Sequence, residues 1–127
     1  MNPLTNLLTN LKNHEAVGKE EAISRPTSKL STEILKLIQK HGYIGEFEII
    51  DDGRGKVYKI KLLHKINNCG AISPRYPIKK EEVEKWEHKY LPAQGFGIMI
   101  ISTPKGLVTH AEAKEKHLGG KLIAFVY

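Results

Sequence analysis

The chain has 127 residues, 40% of them hydrophobic and 27% charged, with a net charge of +6 and a pI of about 9.4. That is enough apolar material for one compact domain or two small ones, whereas no apolar run approaches the ~20 residues of a membrane span. The basic surplus favours a polyanionic partner, because each Lys or Arg near a phosphate releases a condensed counterion.

The charge is spread evenly along the chain. Residues 1–65 carry 11 basic and 8 acidic side chains, and residues 66–127 carry 9 and 6, so we expect a folded protein and no basic disordered arm. The single cysteine, Cys69, excludes an intrachain disulfide and a cysteine-based zinc site and fits a reducing compartment. The first residues lack a charged segment followed by an apolar core, so no secretory signal is expected.

The first half of the chain predicts an α-β-α-β-β unit. Leucines at helical spacing predict a first helix, with Asn2 as its cap and Pro3 in its first turn: Leu4, Leu7, Leu8 and Leu11. A short strand over 22–24, ended by Pro26, precedes a second helix from about Ser28 to His41. The apolar face of that helix is predicted to contain Leu30, Ile34, Leu37 and Ile38.

A β-hairpin completes this half, with its turn over 51–55. Alternating apolar residues indicate its two strands: Phe47 and Ile49 in the first, then Tyr58, Ile60 and Leu62 in the second. We place a domain boundary after this hairpin, between 1–65 and 66–127.

The second half predicts a mostly β domain with short helices. Residues 64–78 are rich in turn residues and are expected to be a connection, followed by a helix over 79–90. The apolar run 96–101 predicts a strand buried on both faces. A loop over 102–106, a short strand, a helix capped by Thr109 and ended by Gly119-Gly120, and a final strand over 122–127 complete the chain.

The loop Ser102-Thr103-Pro104-Lys105-Gly106 is the main candidate for chemistry. A buried strand before it holds short hydroxyls at a fixed position, and such hydroxyls suit the 2′-OH groups, phosphates and base edges of irregular RNA. Lys105 adds charge, and the first N–H groups of the helix after Thr109 offer an anion site. An ordinary turn between strands has the same composition, so both interpretations stay open.

Other chemistries are poorly supported by the spacing. His110, Glu112 and His117 lie near one helix, but their separations match no usual zinc pattern, so no metal or other cofactor is expected. Cys69 has no evident base beside it. Trp86 and Tyr90 fit the core face of a helix better than a stacking surface, whereas Tyr76 and Tyr127 could contact RNA or pack in the core.

Several stretches together resemble small-subunit ribosomal protein eight, in its archaeal and eukaryotic cytosolic form. The resemblance covers essentially the whole chain, and it depends on the order and spacing of these stretches: 28–30, 42–48, 68–75, 91–92, 96–97, Ser102-Thr103 with Gly106, and Gly119-Gly120 with Tyr127 at the end.

The resemblance implies a two-domain α+β fold that binds an irregular helix in the central domain of small-subunit rRNA. It implies RNA contacts in the loop, namely Ser102, Thr103, Pro104, Lys105 and Gly106, and in the nearby segment Gly119, Gly120 and Lys121. Secondary backbone contacts are implied for four further residues: Ser28, Lys29, Thr5 and Lys12. The implied partners are this rRNA and other small-subunit ribosomal proteins, with a cytoplasmic, ribosomal location and a monomer outside the ribosome.

Two positions depart from the family pattern. Many members have a second Ser or Thr where this chain has Pro104, so either the RNA differs there or Pro104 preorders the loop. Bacterial members have an acidic residue at the position of Lys121.

These predictions leave three hypotheses about the function of the protein. The first is a non-enzymatic rRNA-binding protein that aids subunit assembly. The second is a translational repressor that binds an mRNA mimic of the rRNA site through the same surface. The third is a small metal-dependent or nucleophilic enzyme that uses His110, His117 or Cys69.

Overall fold

A computed structural model describes residues 3–25, 27–51, 53–93 and 95–127, and in these it has four α-helices and eight β-strands. The helices are α1 Pro3–Ala16, α2 Lys29–Lys40, α3 Val83–Tyr90 and α4 His110–Lys116, with a 3₁₀ turn, Lys80–Glu82, before α3. The strands are β1 Glu21–Ser24, β2 Ile44–Asp51, β3 Lys56–Leu62, β4 Cys69–Ala71, β5 Pro77–Ile78, β6 Ile98–Thr103, β7 Gly106–Thr109 and β8 Gly120–Val126.

The chain divides between Gly70 and Ala71 into two compact units, here called the first and second unit. One antiparallel sheet has three strands in the order β1-β3-β2. The other has five, in the order β4-β8-β6-β7 with β5 paired to β8. Helices together with these two sheets confirm the predicted two-part α+β class.

The core of the first unit follows the predicted periodicity. All four leucines of α1 are buried, although the predicted cap, Asn2, lies outside the described residues. Tyr58, Ile60 and Leu62 on β3 are buried as predicted, whereas Ile49 on β2 is 46% exposed. The end of the preceding strand at Pro26 also falls outside the described residues.

The start of α2 is fixed to β3 by the hydroxyl of Tyr58. This hydroxyl accepts from the N–H of Ser28 at 3.1 Å, donates to the carbonyl of Ser28 at 2.9 Å and lies 2.7 Å from Thr32 Oγ1. Ser28 is the N-cap of α2, because its Oγ accepts from the N–H of Ser31 at 3.1 Å.

The buried side of α2 is rotated from the prediction. It contains Ser31, Ile34, Leu35 and Ile38, whereas Leu30 and Leu37 are half-buried. Small Ser31 is accommodated on the buried side because its hydroxyl and its N–H both bond to Ser28.

Two predicted boundaries in the second half were wrong. The segment 64–78 contains β4 and β5, because pairing with β8 organises residues that show no periodicity of their own. The strand predicted over 96–101 begins at Ile98, since Phe96 donates to the carbonyl of Ala93 in a turn and is 49% exposed. The helix predicted over 79–90 is confirmed: the 3₁₀ turn begins it, the chain becomes α-helical at Val83, and the helix ends at Tyr90.

The last helix begins as predicted and ends differently. Thr109 caps α4, since its Oγ1 accepts from the N–H of Glu112 at 3.3 Å. The helix stops at Lys116 with His117 in the left-handed region at φ 54°, so the prediction that Gly119-Gly120 ends it was wrong.

A buried charged network connects the elements of the second unit. Glu87, only 3% exposed, accepts from Lys114 Nζ at 2.5 Å and from the N–H of Gly95 at 3.3 Å, and lies 3.2 Å from His110 Nε2. The Nδ1 of His110 accepts from the N–H of Met99 at 3.1 Å. One carboxylate therefore joins α3, α4, β6 and the turn before β6.

Candidate nucleic-acid interface

The predicted loop over 102–106 is a tight hairpin between β6 and β7. Ser102 and Thr103 belong to β6, Gly106 begins β7, and only Pro104 and Lys105 form the turn. Pro104 restricts φ at its position, and Gly106 takes φ +111°, a conformation that favours glycine. This part of the prediction is corrected to a two-residue turn, which holds its side chains more rigidly than a five-residue loop would.

The hydroxyl of Thr103 is used inside this turn. It donates to the carbonyl of Gly106 at 2.8 Å and accepts from the N–H of Lys105 at 3.2 Å. Thr103 is also only 8% exposed. Thr103 therefore shapes the turn that presents Lys105.

Ser102 differs from Thr103 in the environment of its hydroxyl. Its side chain is half-buried, and its hydroxyl has no hydrogen bond to any residue that the structure describes. Ser102 pairs with Leu107 on one side and with Lys121 on the other, and cross-strand partners share one face of a sheet. A hydroxyl that is unengaged among the described residues and the exposed ammonium of Lys121 therefore project from the same face beside the turn.

Gly119 and Gly120 allow β8 to approach this hairpin. A Cβ on Gly120 would overlap the carbonyl oxygen of Ser102, and one on Gly119 would lie 2.8 Å from the carbonyl oxygen of Ile78. Both glycines are thus explained by close backbone approach, the role that the helix-end prediction missed.

Sequence reasoning missed two lysines at this site. β5 pairs with β8, so that Ile78 lies opposite Gly120, and the backbone of Lys79 and Lys80 packs against Gly119. Four exposed lysines are therefore grouped around the hairpin: Lys79, Lys80, Lys105 and Lys121. None of them forms an ion pair among the described residues. The Lys-Lys pair was visible in the sequence, but its position depends on strand pairing.

The remaining predicted residues lie in the first unit, in two places. Thr5 and Lys12 are exposed on α1, two turns apart on one flank of the helix beside the buried leucines. Lys29 is exposed at the first residue of α2, whereas the hydroxyl of Ser28 bonds to Ser31 as the cap. Ser28 thus holds the helix start that presents Lys29.

The predicted anion site at the start of α4 is not supported. Thr109 and His110 are buried, and the Thr109 hydroxyl already binds the N–H of Glu112. This seven-residue helix begins inside the unit, because its first turn packs on β6.

The chemistry of the third hypothesis finds little support in the geometry. Among the described residues, no group of three or more His, Cys, Asp or Glu could hold a metal ion.

A groove of about 560 Å³ in the first unit is lined by four carboxylates and two lysines: Glu20, Glu21, Glu46 and Glu48, with Lys59 and Lys61. The excess of negative charge disfavours binding of a polyanion in this groove. None of the helices in the described chain has the length and apolar character for crossing a membrane.

Cys69 is expected to be unreactive in the native protein. It is 4% exposed, its Sγ donates to the carbonyl of Leu8, and burial raises the pKa of its thiol to about 12. Since the thiolate is the reactive species, a disulfide reagent at pH 8 should label the folded protein only slowly. The reagent should label one equivalent rapidly in urea, and rapid labelling without urea would contradict the burial.

Two small α+β units, a rigid hairpin and four grouped lysines define a protein of the nucleic-acid-binding class with a preformed basic surface. A family model for Ribosomal protein S8 matches residues 2–127. The match covers essentially the whole chain, so the chain belongs to the Ribosomal protein S8 family, as the sequence resemblance indicated. Proteins of this family are ribosome-associated components of the small subunit and take part in translation. The chain accordingly belongs to a structural RNA-binding class that binds rRNA and other ribosomal proteins.

Proposed function

We propose that this protein binds an irregular helix in the central domain of small-subunit rRNA and thereby aids assembly of the subunit. The observation that carries the proposal is the hydroxyl of Ser102, which is unengaged among the described residues beside a two-residue turn and near four exposed lysines. A rigid hydroxyl can select an RNA shape, whereas lysines neutralise phosphates without regard to sequence.

The proposal assigns different roles to the residues of the hairpin. Ser102 contacts a 2′-OH or a base edge, and Lys105 and Lys121 contact phosphates together with Lys79 and Lys80. Thr103 and Pro104 fix the turn, which supports the view that Pro104 preorders the loop in place of a second hydroxyl.

Backbone geometry completes the proposed interface. Gly106 allows the turn, and Gly119 and Gly120 bring β8 against it. Both predicted domains, 1–65 and 66–127, contribute to binding. In the first of them, exposed Thr5, Lys12 and Lys29 contact the RNA backbone, and Ser28 holds Lys29 in place. We further propose that the protein is cytoplasmic, that it works without a cofactor, and that it is a monomer outside the ribosome.

Ser102→Ala tests this assignment. The variant should bind a central-domain rRNA fragment about 1–3 kcal/mol more weakly than the parent, because a hydrogen bond that discriminates between RNA shapes is lost. Its affinity for a perfectly paired duplex should stay the same. Filter binding at fixed salt measures both affinities, and thermal melting checks that the fold is unchanged.

Thr103→Ser is the matched control, since it keeps the hydroxyl that forms the turn and should bind as the parent does. Unchanged affinity of Ser102→Ala for the rRNA fragment would refute the assigned role of Ser102.

A further inference from the structure

A continuous row of aromatic rings lies on the second unit, away from the hairpin residues. Successive ring centroids are 5.0–6.1 Å apart and successive ring planes differ by 13–30°. We call this set the ring platform, and its members are half-buried: Tyr76, Trp86, Tyr90, Phe125 and Tyr127. Phe96, 49% exposed, extends the row beside Tyr127 at 6.4 Å.

The position of Lys89 shows how the rings are arranged. Its Nζ lies over three of them, 4.9 Å from the centroid of Trp86 and 5.7 Å from those of Tyr76 and Tyr90. Rings with centroids 5.0–6.1 Å apart and small interplanar angles are stacked with an offset. An offset stack leaves part of each ring face uncovered, and the ammonium of Lys89 lies over three of these faces. All five rings of the platform also pack against the buried core of this unit, so the side that Lys89 covers is the solvent side.

Core packing alone does not account for this arrangement. The sequence favoured the core for Trp86 and Tyr90, yet both are half-buried, and the fully packed residues of α3 are Val83 and Glu87. Half-buried rings with an exposed lysine over their faces have the chemistry of a single-stranded nucleic-acid site, where bases stack on rings and a cation binds the phosphates.

The platform is separate from the proposed RNA site. Phe125 pairs with Met99, and Lys121 pairs with Ser102, on the same two strands. Successive residues of a strand point to opposite faces of the sheet. Met99 and Ser102 are three residues apart on β6, so the platform and the hydroxyl of Ser102 lie on opposite faces.

We propose that the ring platform stacks unpaired bases of small-subunit rRNA and that Lys89 moves from the rings to an adjacent phosphate. The proposal rests on the proposed function in that RNA is the ligand, but it concerns a second site that does not involve the hairpin. The charge of Lys89 favours an RNA strand over an apolar protein segment as the occupant.

The single tryptophan provides the readout, since the chain contains no other. We expect single-stranded hexaadenylate to quench the fluorescence of Trp86 saturably in the full chain at low salt, and a six-base-pair duplex RNA to quench it far less. Tyr76→Leu should weaken hexaadenylate binding about tenfold, the loss typical of one stacked base.

Lys89→Gln is a second test of the proposal that does not depend on whether Tyr76→Leu folds. Lys89 is exposed, so its replacement leaves the core intact. It should lower the slope of log affinity against log salt by about 0.7. Lys85→Gln is the matched control, an exposed lysine of the same helix with no ring contact found in the described chain, and it should leave the slope less affected.

The outcomes separate this proposal from the proposed function. Ser102→Ala should quench normally with hexaadenylate while it loses affinity for the rRNA fragment. Absence of quenching, or equal effects of Lys89→Gln and Lys85→Gln, would overturn the platform proposal even if the rRNA fragment still binds through Ser102. Failure of the Ser102 test alone would overturn only the assignment of the hairpin.

Discussion

Glu87→Ala is expected to lower the free energy of unfolding by about 3–5 kcal/mol, the cost of removing one partner from a buried ion pair. The substitution leaves Lys114 and His110 without their carboxylate and the N–H of Gly95 without its acceptor. Equilibrium unfolding in urea at pH 7 measures the loss.

Glu84→Ala is the matched control, because Glu84 is exposed on the same helix and has no bond within the described residues. Its effect should stay within about 0.5 kcal/mol. Equal stabilities of the Glu87 and Glu84 variants would show that the network does not hold the second unit together.

The same carboxylate makes stability depend on pH. Burial by itself raises the pKa of Glu87, but the hydrogen bonds from Lys114 and Gly95, together with the electrostatic effects of His110 and Lys114, outweigh it, so the pKa lies below the ordinary value of 4.5. A folded-state pKa below the unfolded one stabilises the fold above about pH 4.5, and this contribution is lost as pH falls through the folded-state value. The Glu87 variant should therefore lose less stability than the parent on acidification below pH 4.5.

Gly120→Ala is expected to damage both the fold and the RNA site. Its Cβ would overlap the carbonyl oxygen of Ser102, and a backbone atom cannot move aside as a side chain can. Overpacking of this kind costs about 1–3 kcal/mol. Because β8 must then separate from β6 next to Ser102, affinity for the rRNA fragment should fall at least about tenfold. Urea unfolding and filter binding measure the two effects.

Gly45→Ala serves as the control for Gly120→Ala. Gly45 also lies in a strand without a positive φ, but its new Cβ would lie 3.2 Å from the Cβ of Lys61, a tight contact without the backbone overlap that Gly120 would make. It should bind RNA as the parent does. If Gly120→Ala bound the rRNA fragment normally, the close approach of β8 would have no part in recognition.

The sequence predicted the elements whose signals are local. The leucine spacing of α1, the alternation over Tyr58–Leu62 and the Thr109 cap each reside in a few consecutive residues, and each was found in the structure. The α+β class and the family resemblance followed from these elements and from the order and spacing of short stretches such as Ser102-Thr103 with Gly106.

The rest depends on contacts between distant segments. The sequence predicted that Gly119-Gly120 ends a helix, because glycine is common at helix ends. The role of these glycines in the structure depends on β5 and β6, which lie against them. The sequence contains no signal for the buried role of Glu87, because its partners lie on α4 and in the turn at Gly95, which are distant in sequence. The hydroxyls of Ser102 and Thr103 are adjacent in sequence, and only the turn geometry shows that Thr103 is bonded within the turn while Ser102 has no hydrogen bond to a described residue.

The most direct test of the central claim is a titration of the whole protein at one fixed salt concentration. It compares a central-domain rRNA fragment that contains the irregular helix with a perfectly paired duplex of the same length. We predict that the fragment binds at least about tenfold more tightly, because the hairpin selects a shape that a regular duplex lacks. Equal affinities would contradict the account and leave only nonspecific attraction between lysines and phosphates.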